Sequence, residues 1–244
     1  MTVATVFAAS LLTALATGLG ALPLGLGRVI GGRGVGLATA VAAGFMAGAS
    51  VGLGWEGIRS SSARTVLGVL TGAAFIFITR RMLGHRHELT FGALRGADAL
   101  SAVMIVGVMT LHSFPEGVGV GVSFGDSETL GLLITTAIAL HNIPEGLAIA
   151  LVLVPKGISV ARAAGWSVFS SLPQVLMAVP AFLLVEWVEP FLPFGLGFAA
   201  GAMVWLVAAQ LVPDALRTAR PLPVAAAMLA AATVMVGLQL FLLG

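Results

Sequence analysis

The chain has 244 residues, of which 59% are hydrophobic and 9% charged, with a mean hydropathy of +1.08. A soluble domain carries about 25% charged residues, so this chain lacks the polar side chains to cover a water-facing surface, and it is too apolar to be disordered. Its apolar content suffices for roughly seven spans of about 20 residues, before counting the glycines that membrane helices tolerate. A polytopic membrane protein is the class that remains.

Eight apolar runs follow one another along the chain, and each is read as a transmembrane helix. They lie near 3–24, 34–55, 65–82, 98–123, 129–153, 159–186, 192–212 and 222–243. The first resembles a signal peptide in position only. A cleaved signal carries its positive charge before the apolar core, and the first basic residue here is Arg28. It is therefore expected to be a retained span. Charges and turn residues collect in the breaks: Arg28–Arg33, Glu56–Arg64, Arg80–Asp98, Gly125–Glu128, Pro155–Gly157, Glu186–Pro190 and Pro213–Pro221. Helices are expected throughout because backbone groups in lipid must be satisfied internally, and the runs are too long for barrel strands.

The breaks also orient the chain. If the N-terminus is outside, the inner breaks hold Arg28, Arg33, Arg80, Arg81, Arg86, Arg95, Lys156, Arg162, Arg217 and Arg220, against only Arg59 and Arg64 outside. The positive-inside rule then predicts both termini outside and a cytoplasmic loop at 83–97. That loop contains His85 and His87, a His-x-His pair suited to transient metal binding or simply part of a solvated basic loop. Cysteine is absent, which excludes disulfides and thiolate metal sites. The pI near 10.4 rests on a net charge of +2, so no nucleic-acid partner is indicated. Glycine pairs such as Gly18/Gly20 and Gly25/Gly27 follow no strand and read as helix-packing positions rather than nucleotide loops.

Ionisable residues inside spans are rare and point to function. The fourth span carries His112-Ser113-Phe114-Pro115-Glu116-Gly117 and the fifth His141-Asn142-Ile143-Pro144-Glu145-Gly146. Each is a His-x-x-Pro-Glu-Gly near mid-span. His and Glu at i and i+4 share one helix face. Proline at i+3 donates no N–H, so the carbonyls of Leu111 and Leu140 lose their helical partners. With the two faces opposed, His112, Glu116, His141 and Glu145 converge. Two imidazoles and two carboxylates suit zinc, and also ferrous iron, manganese, cobalt or cadmium. The two carboxylates cancel a divalent charge, which a low-dielectric site requires. The structural alternative is a set of His–Glu hydrogen bonds that hold the two helices together.

These two motifs resemble the signature of the ZIP metal-ion transporters, most closely the bacterial GufA-type branch. The resemblance extends to Ala16–Pro23, to Gly44–Gly48 with Glu56, and to Gly201–Met203 with Leu211–Pro213, and so to essentially the whole chain. It implies an all-α fold of eight spans with a metal site between the fourth and fifth, and a multi-pass protein of the cell (inner or plasma) membrane of a bacterium. It further implies zinc uptake by alternating access, in which a unit of the first, fourth, fifth and sixth helices slides against the rest. In that family the site is often binuclear. Carried over, the first position uses His112, Glu116, His141 and Glu145. The second would use Ser113, Asn142 and Gln174, where the family often has Asn, Asp or Asn, and Glu. Gln210 also stands where a Glu is frequent. All four are neutral here, so the expectation is a second ion bound weakly or not at all. The resemblance leaves homodimerisation open. The competing class is an intramembrane metallohydrolase, which needs an open coordination position and a separate acid or base.

Overall fold

A computed structural model describes residues 1–25, 32–84 and 90–243; His85, His87 and Arg28 lie outside the described residues. The chain is almost wholly helical. Helix α1 is Val3–Leu19, followed by a short turn of helix at Leu22–Gly25. One continuous run then covers Gly32–Gly84 and divides at Ser61 into α2 (32–60) and α3 (62–84). A small hairpin, β1 (Thr90–Phe91) and β2 (Leu94–Arg95), precedes α4 (Gly96–Asp126) and α5 (Glu128–Leu153). Then come α6 (Val160–Leu183), α7 (Leu192–Thr218, with a π-helical turn at Val207–Leu211) and α8 (Pro221–Leu243).

The expected break at Glu56–Arg64 is confined to one residue. Ser61 is extended (φ −161°, ψ 102°) between two helical stretches. A straight helix of that length would run about 80 Å, well beyond the hydrocarbon core of about 30 Å. The chain instead reverses there. A Cβ on Gly57 would meet the side chain of Thr65, eight residues on, which a straight helix would hold about 12 Å away. The run is therefore two spans. Within the expected loop at 83–97, Thr90–Arg95 folds as a hairpin with Gly92 at φ 58° in its turn. At the break expected over 213–221, helix continues through Thr218.

Close approaches between helices give their relative directions. Gly68 and Gly201 abut the main chain of Phe194 and Val69, and Gly197 abuts Thr65, so α3 and α7 run parallel. Gly44, Gly48 and Gly52 meet Met228, Ala232 and Gln239, which makes α2 and α8 parallel. Gly117 and Gly121 meet Gln174 and Ala178, so α4 and α6 are parallel too. Thr13 pairs with Asn142 and Thr17 abuts Gly146, giving a parallel α1 and α5. In a chain that crosses a bilayer eight times, helices of like parity point the same way. All four pairs obey this.

The core is built from small residues, with Ala42, Ala43, Ala49, Ala99, Ala102 and Ala202 all fully buried. Small side chains let helix backbones approach, which is how membrane helices gain packing energy when lipid removes the hydrophobic drive. Large apolar residues such as Leu70, Leu176, Leu229 and Phe241 face outward instead.

Candidate metal centre

Helices α4 and α5 are joined by a single extended residue, Ser127, whose side chain caps α5 by accepting from the Leu130 N–H at 3.2 Å. That tight connection sets the register. His112 faces Glu145, and Glu116 faces His141, with the same offset about Ser127 in both pairs. At 1.5 Å per residue the four lie about 16–27 Å along the helices from the turn, near the middle of a bilayer. Both helices stay continuous through Pro115 and Pro144.

The four side chains form one cluster whose ligand atoms all lie within 4.8 Å of one another. His112 Nε2 is 2.9 Å from Glu145 Oε1 and 3.2 Å from Glu116 Oε1. His141 Nε2 is 3.0 Å from Glu145 Oε1, and its Nδ1 is 3.7 Å from Glu116 Oε1. All four residues are buried, His112 completely. A tetrahedral ion with bonds of about 2.0–2.2 Å holds its ligand atoms about 3.3–3.6 Å apart. The Nε2 contacts at 2.9–3.2 Å are slightly shorter than that, and a spread within 4.8 Å keeps the four ligand atoms in reach of one ion.

Their orientation is as informative as their distance. His112 Nδ1 and Nε2, both oxygens of Glu116, His141 Nε2 and Glu145 Oε1 are buried without an aligned hydrogen-bond partner. Helix-tying His–Glu hydrogen bonds would point donors at acceptors, since such bonds weaken steeply below about 120°. Ligands of one ion point their lone pairs at a common centre instead, which leaves neighbours close but misaligned. Unmade hydrogen bonds at this burial are costly, so the cluster fits a cation better than it fits a structural tie.

The residues expected at a second position are placed beside the cluster, without an anion. Asn142 Nδ2 donates to the Thr13 carbonyl at 2.9 Å and to Gln174 Oε1 at 3.1 Å. Asn142 Oδ1 and Gln174 Nε2 are buried without partners. Ser113 turns its hydroxyl along its own helix and donates to the Met109 carbonyl at 2.9 Å. Gln210 lies elsewhere, on the π-helical turn of α7, and donates to the Ser101 carbonyl at 3.1 Å.

Sequence reasoning passed over a neutral seam that continues from Asn142 along α1, α5 and α6. Thr17 and Ser171 share a hydrogen bond of 2.7 Å between their hydroxyls. Ser170 and Ser171 both donate to the Ser167 carbonyl, and Ser167 reaches the carbonyls of Gly146 and Ala163. All are buried, as are Ser10 and Thr13. The signal was present in α1, where Ser10, Thr13 and Thr17 recur at helical spacing on one face, inside an otherwise apolar span.

Residues 85–243 match the family model of the ZIP Zinc transporter. The chain is 36% identical to the zinc transporter GufA of Myxococcus xanthus, over 86% of its own length and 87% of that protein. It is 46% identical to a provisionally named zinc transporter of Arabidopsis thaliana over 93% of its length, and spans 37% of that longer protein. With the human zinc transporter ZIP11 it shares 33% identity over 49% of its length, 37% of that protein.

Proposed function

Because the chain belongs to the ZIP family of zinc transporters, we propose that it carries a divalent metal ion, zinc foremost, across the membrane through His112, Glu116, His141 and Glu145. The observation that carries this reading is the arrangement of those groups: close, buried and misaligned for bonding one another. Two neutral imidazoles and two carboxylates around a divalent ion sum to zero charge. The ion thereby crosses a low-dielectric interior without the cost of an isolated charge. Imidazole nitrogen favours zinc over calcium or magnesium, which prefer all-oxygen cages. Ferrous iron, manganese, cobalt and cadmium remain admissible to the same ligand set.

Transport runs from the Ser127 end toward the arginine-rich end. The arginine distribution supports inward orientation of the latter, so the movement is uptake. At the Ser127 end Val6, Val120, Phe124 and Ala178 pack as a buried apolar cluster. A hydrated ion enters there only when these helices part, exchanges water for the four side chains, and leaves along the hydroxyl-lined seam of α1 and α6. Those two requirements describe alternating access. With Ser113, Asn142 and Gln174 neutral, one ion occupies the centre at a time. One chain supplies the whole ligand set, so transport needs no partner's residue. The protein is a multi-pass membrane protein, and its likeness to GufA over most of both chains supports a bacterial inner or plasma membrane.

A hydrolase reading lacks support. Among the described side chains no other Asp, Glu, His, Lys or Arg is buried, so none of them stands ready as a spare acid or base to activate a metal-bound water. The deciding experiment is zinc influx into proteoliposomes that enclose a zinc-sensitive dye, with native protein against Glu145→Ala. Loss of flux in a folded variant is expected. Equal flux in both would remove the four side chains from the path.

A further inference from the structure

Away from the metal centre, the arginine-rich end carries a cavity of about 540 Å³ where α2 starts, α7 ends and α8 begins. Its walls include Arg33, Leu216, Arg217, Thr218, Arg220 and Pro221. It is an open concavity facing outward rather than an enclosed pocket. From these walls we propose that the cavity binds the phosphate-bearing headgroup of an anionic phospholipid from the adjoining leaflet.

Charge is the first argument. Three arginines, Arg33, Arg217 and Arg220, border one concavity, and Asp214, paired with Arg217 at 3.0 Å, is the carboxylate nearest to them in sequence. That pair is exposed, and exposed pairs contribute little. Arg33 and Arg220 pair with no carboxylate among the described residues. Guanidinium is the side chain best matched to phosphate oxygens, because its fixed fork donates two parallel hydrogen bonds. The start of α8, a helix of 23 residues, adds the positive end of its dipole at Pro221. Pro221 and Pro223 in its first turn carry no N–H, so the arginine side chains rather than the helix backbone supply the donors.

Position identifies the source of the phosphate. Pro221 opens an apolar span, so the cavity lies at the level where headgroups sit. Leu216 in its wall is 43% exposed. On α8, Leu222 and Leu229 are 81% and 71% exposed. Seven residues apart, they lie on one stripe of the helix and offer an acyl chain about 10 Å of apolar track. A soluble phosphate would use the arginines and leave this track unused. Basic pockets between membrane helices are a recognised way of holding anionic headgroups. A lipid seated here joins the start of α2 to the α7–α8 connection.

The test uses the purified full chain in a neutral detergent, titrated with short-chain phosphatidylglycerol, phosphatidylcholine or inorganic phosphate. Binding is read by native mass spectrometry and by the midpoint of thermal unfolding. Phosphatidylglycerol should bind and raise the midpoint, with little response to the other two. Arg33→Gln/Arg220→Gln should weaken its binding about 30-fold, the combined effect of two basic groups at a membrane surface. Arg95→Gln/Arg162→Gln removes the same charge outside the cavity and should leave binding within about threefold. Equal loss in both double variants would reduce the effect to overall charge and overturn the site. Binding of inorganic phosphate as tight as that of phosphatidylglycerol would overturn the lipid as occupant. If the Arg33/Arg220 variant fails to fold, the lipid series on the native chain still decides, because no preference for phosphatidylglycerol refutes the proposal.

Discussion

Glu145→Gln separates a metal centre from a structural tie between α4 and α5. Glu145 Oε1 is the atom nearest both imidazoles, at 2.9 Å from His112 and 3.0 Å from His141. The substitution keeps the shape of the side chain and removes one negative charge. With an ion bound, the native cluster is neutral, whereas the variant complex would carry an uncompensated +1 at nearly complete burial. Breaking a buried charge pair from one side costs about 3–5 kcal/mol. At about 1.4 kcal/mol per tenfold, zinc affinity should fall by roughly two to three and a half orders of magnitude. The metal-free protein should respond in the opposite direction. Losing one of two buried carboxylates removes a desolvated charge, so the unfolding midpoint of the apo variant should equal or exceed that of the native chain. Isothermal titration with zinc and thermal unfolding with a chelator present read the two effects separately. Zinc affinity within about threefold of native, together with a clearly less stable apo protein, would mean that Glu145 ties helices together and that the metal reading is mistaken.

Other consequences follow from specific contacts. Native protein should bind one zinc per chain by elemental analysis, and Gln174→Glu, which puts a carboxylate against Asn142, should raise the count toward two; a count unchanged at one would show that the seam cannot hold a cation even when charged. Gly146→Ala places a Cβ against the Thr17 carbonyl and should force α1 away from α5. The cost is about 1–3 kcal/mol, as for overpacking elsewhere, measured as a lower unfolding midpoint with zinc stoichiometry retained. The chain has no cysteine, so single cysteines report sidedness cleanly. Ser62→Cys and Glu128→Cys should be labelled by an impermeant maleimide from one side of the membrane and Ala93→Cys from the other. Ser62 and Glu128 labelled from opposite sides would mean that Gly32–Gly84 crosses once, not twice.

Much of the fold was legible because lipid simplifies the code. Long apolar runs between charged breaks mark helices, and Pro115 and Pro144 with their His and Glu neighbours mark the centre at the same depth in two of them. Convergence of the two motifs was legible only on the condition that their faces oppose; the one-residue connection at Ser127 supplies the register. What stayed hidden were features decided by contact rather than composition. Polar residues at 56–64 suggested a loop, yet helix persists on both sides of Ser61 because the reversal is made by one extended residue. The hairpin at Thr90–Arg95 rests on a turn glycine and on the Phe91 ring, tilted against Trp166 with centroids 4.6 Å apart, a long-range contact with no local signal. The seam of Thr13, Thr17 and Ser171 forms only where α1 and α6 come face to face, a contact that no local pattern marks.

That seam also gives a physical reason for the amide at 174. If the cluster of two His and two Glu holds one divalent ion, its charge is already balanced. A carboxylate at 174 would leave the loaded centre at −1 within a buried environment. Such a site would need either a second cation or a proton to restore neutrality. An amide keeps the size and hydrogen-bonding reach of Glu, accepts from Asn142 at 3.1 Å, and adds no charge. Thr13, Thr17, Ser167, Ser170 and Ser171 follow the same rule, since each is polar, buried and neutral. A neutral complex gains no deep electrostatic trap from neighbours of this kind, so the proposed single ion can leave the centre without being held by a further anion on its way out. Binding strength is then concentrated in the four ligands and absent from the path beyond them, which is the arrangement a carrier needs to release what it binds.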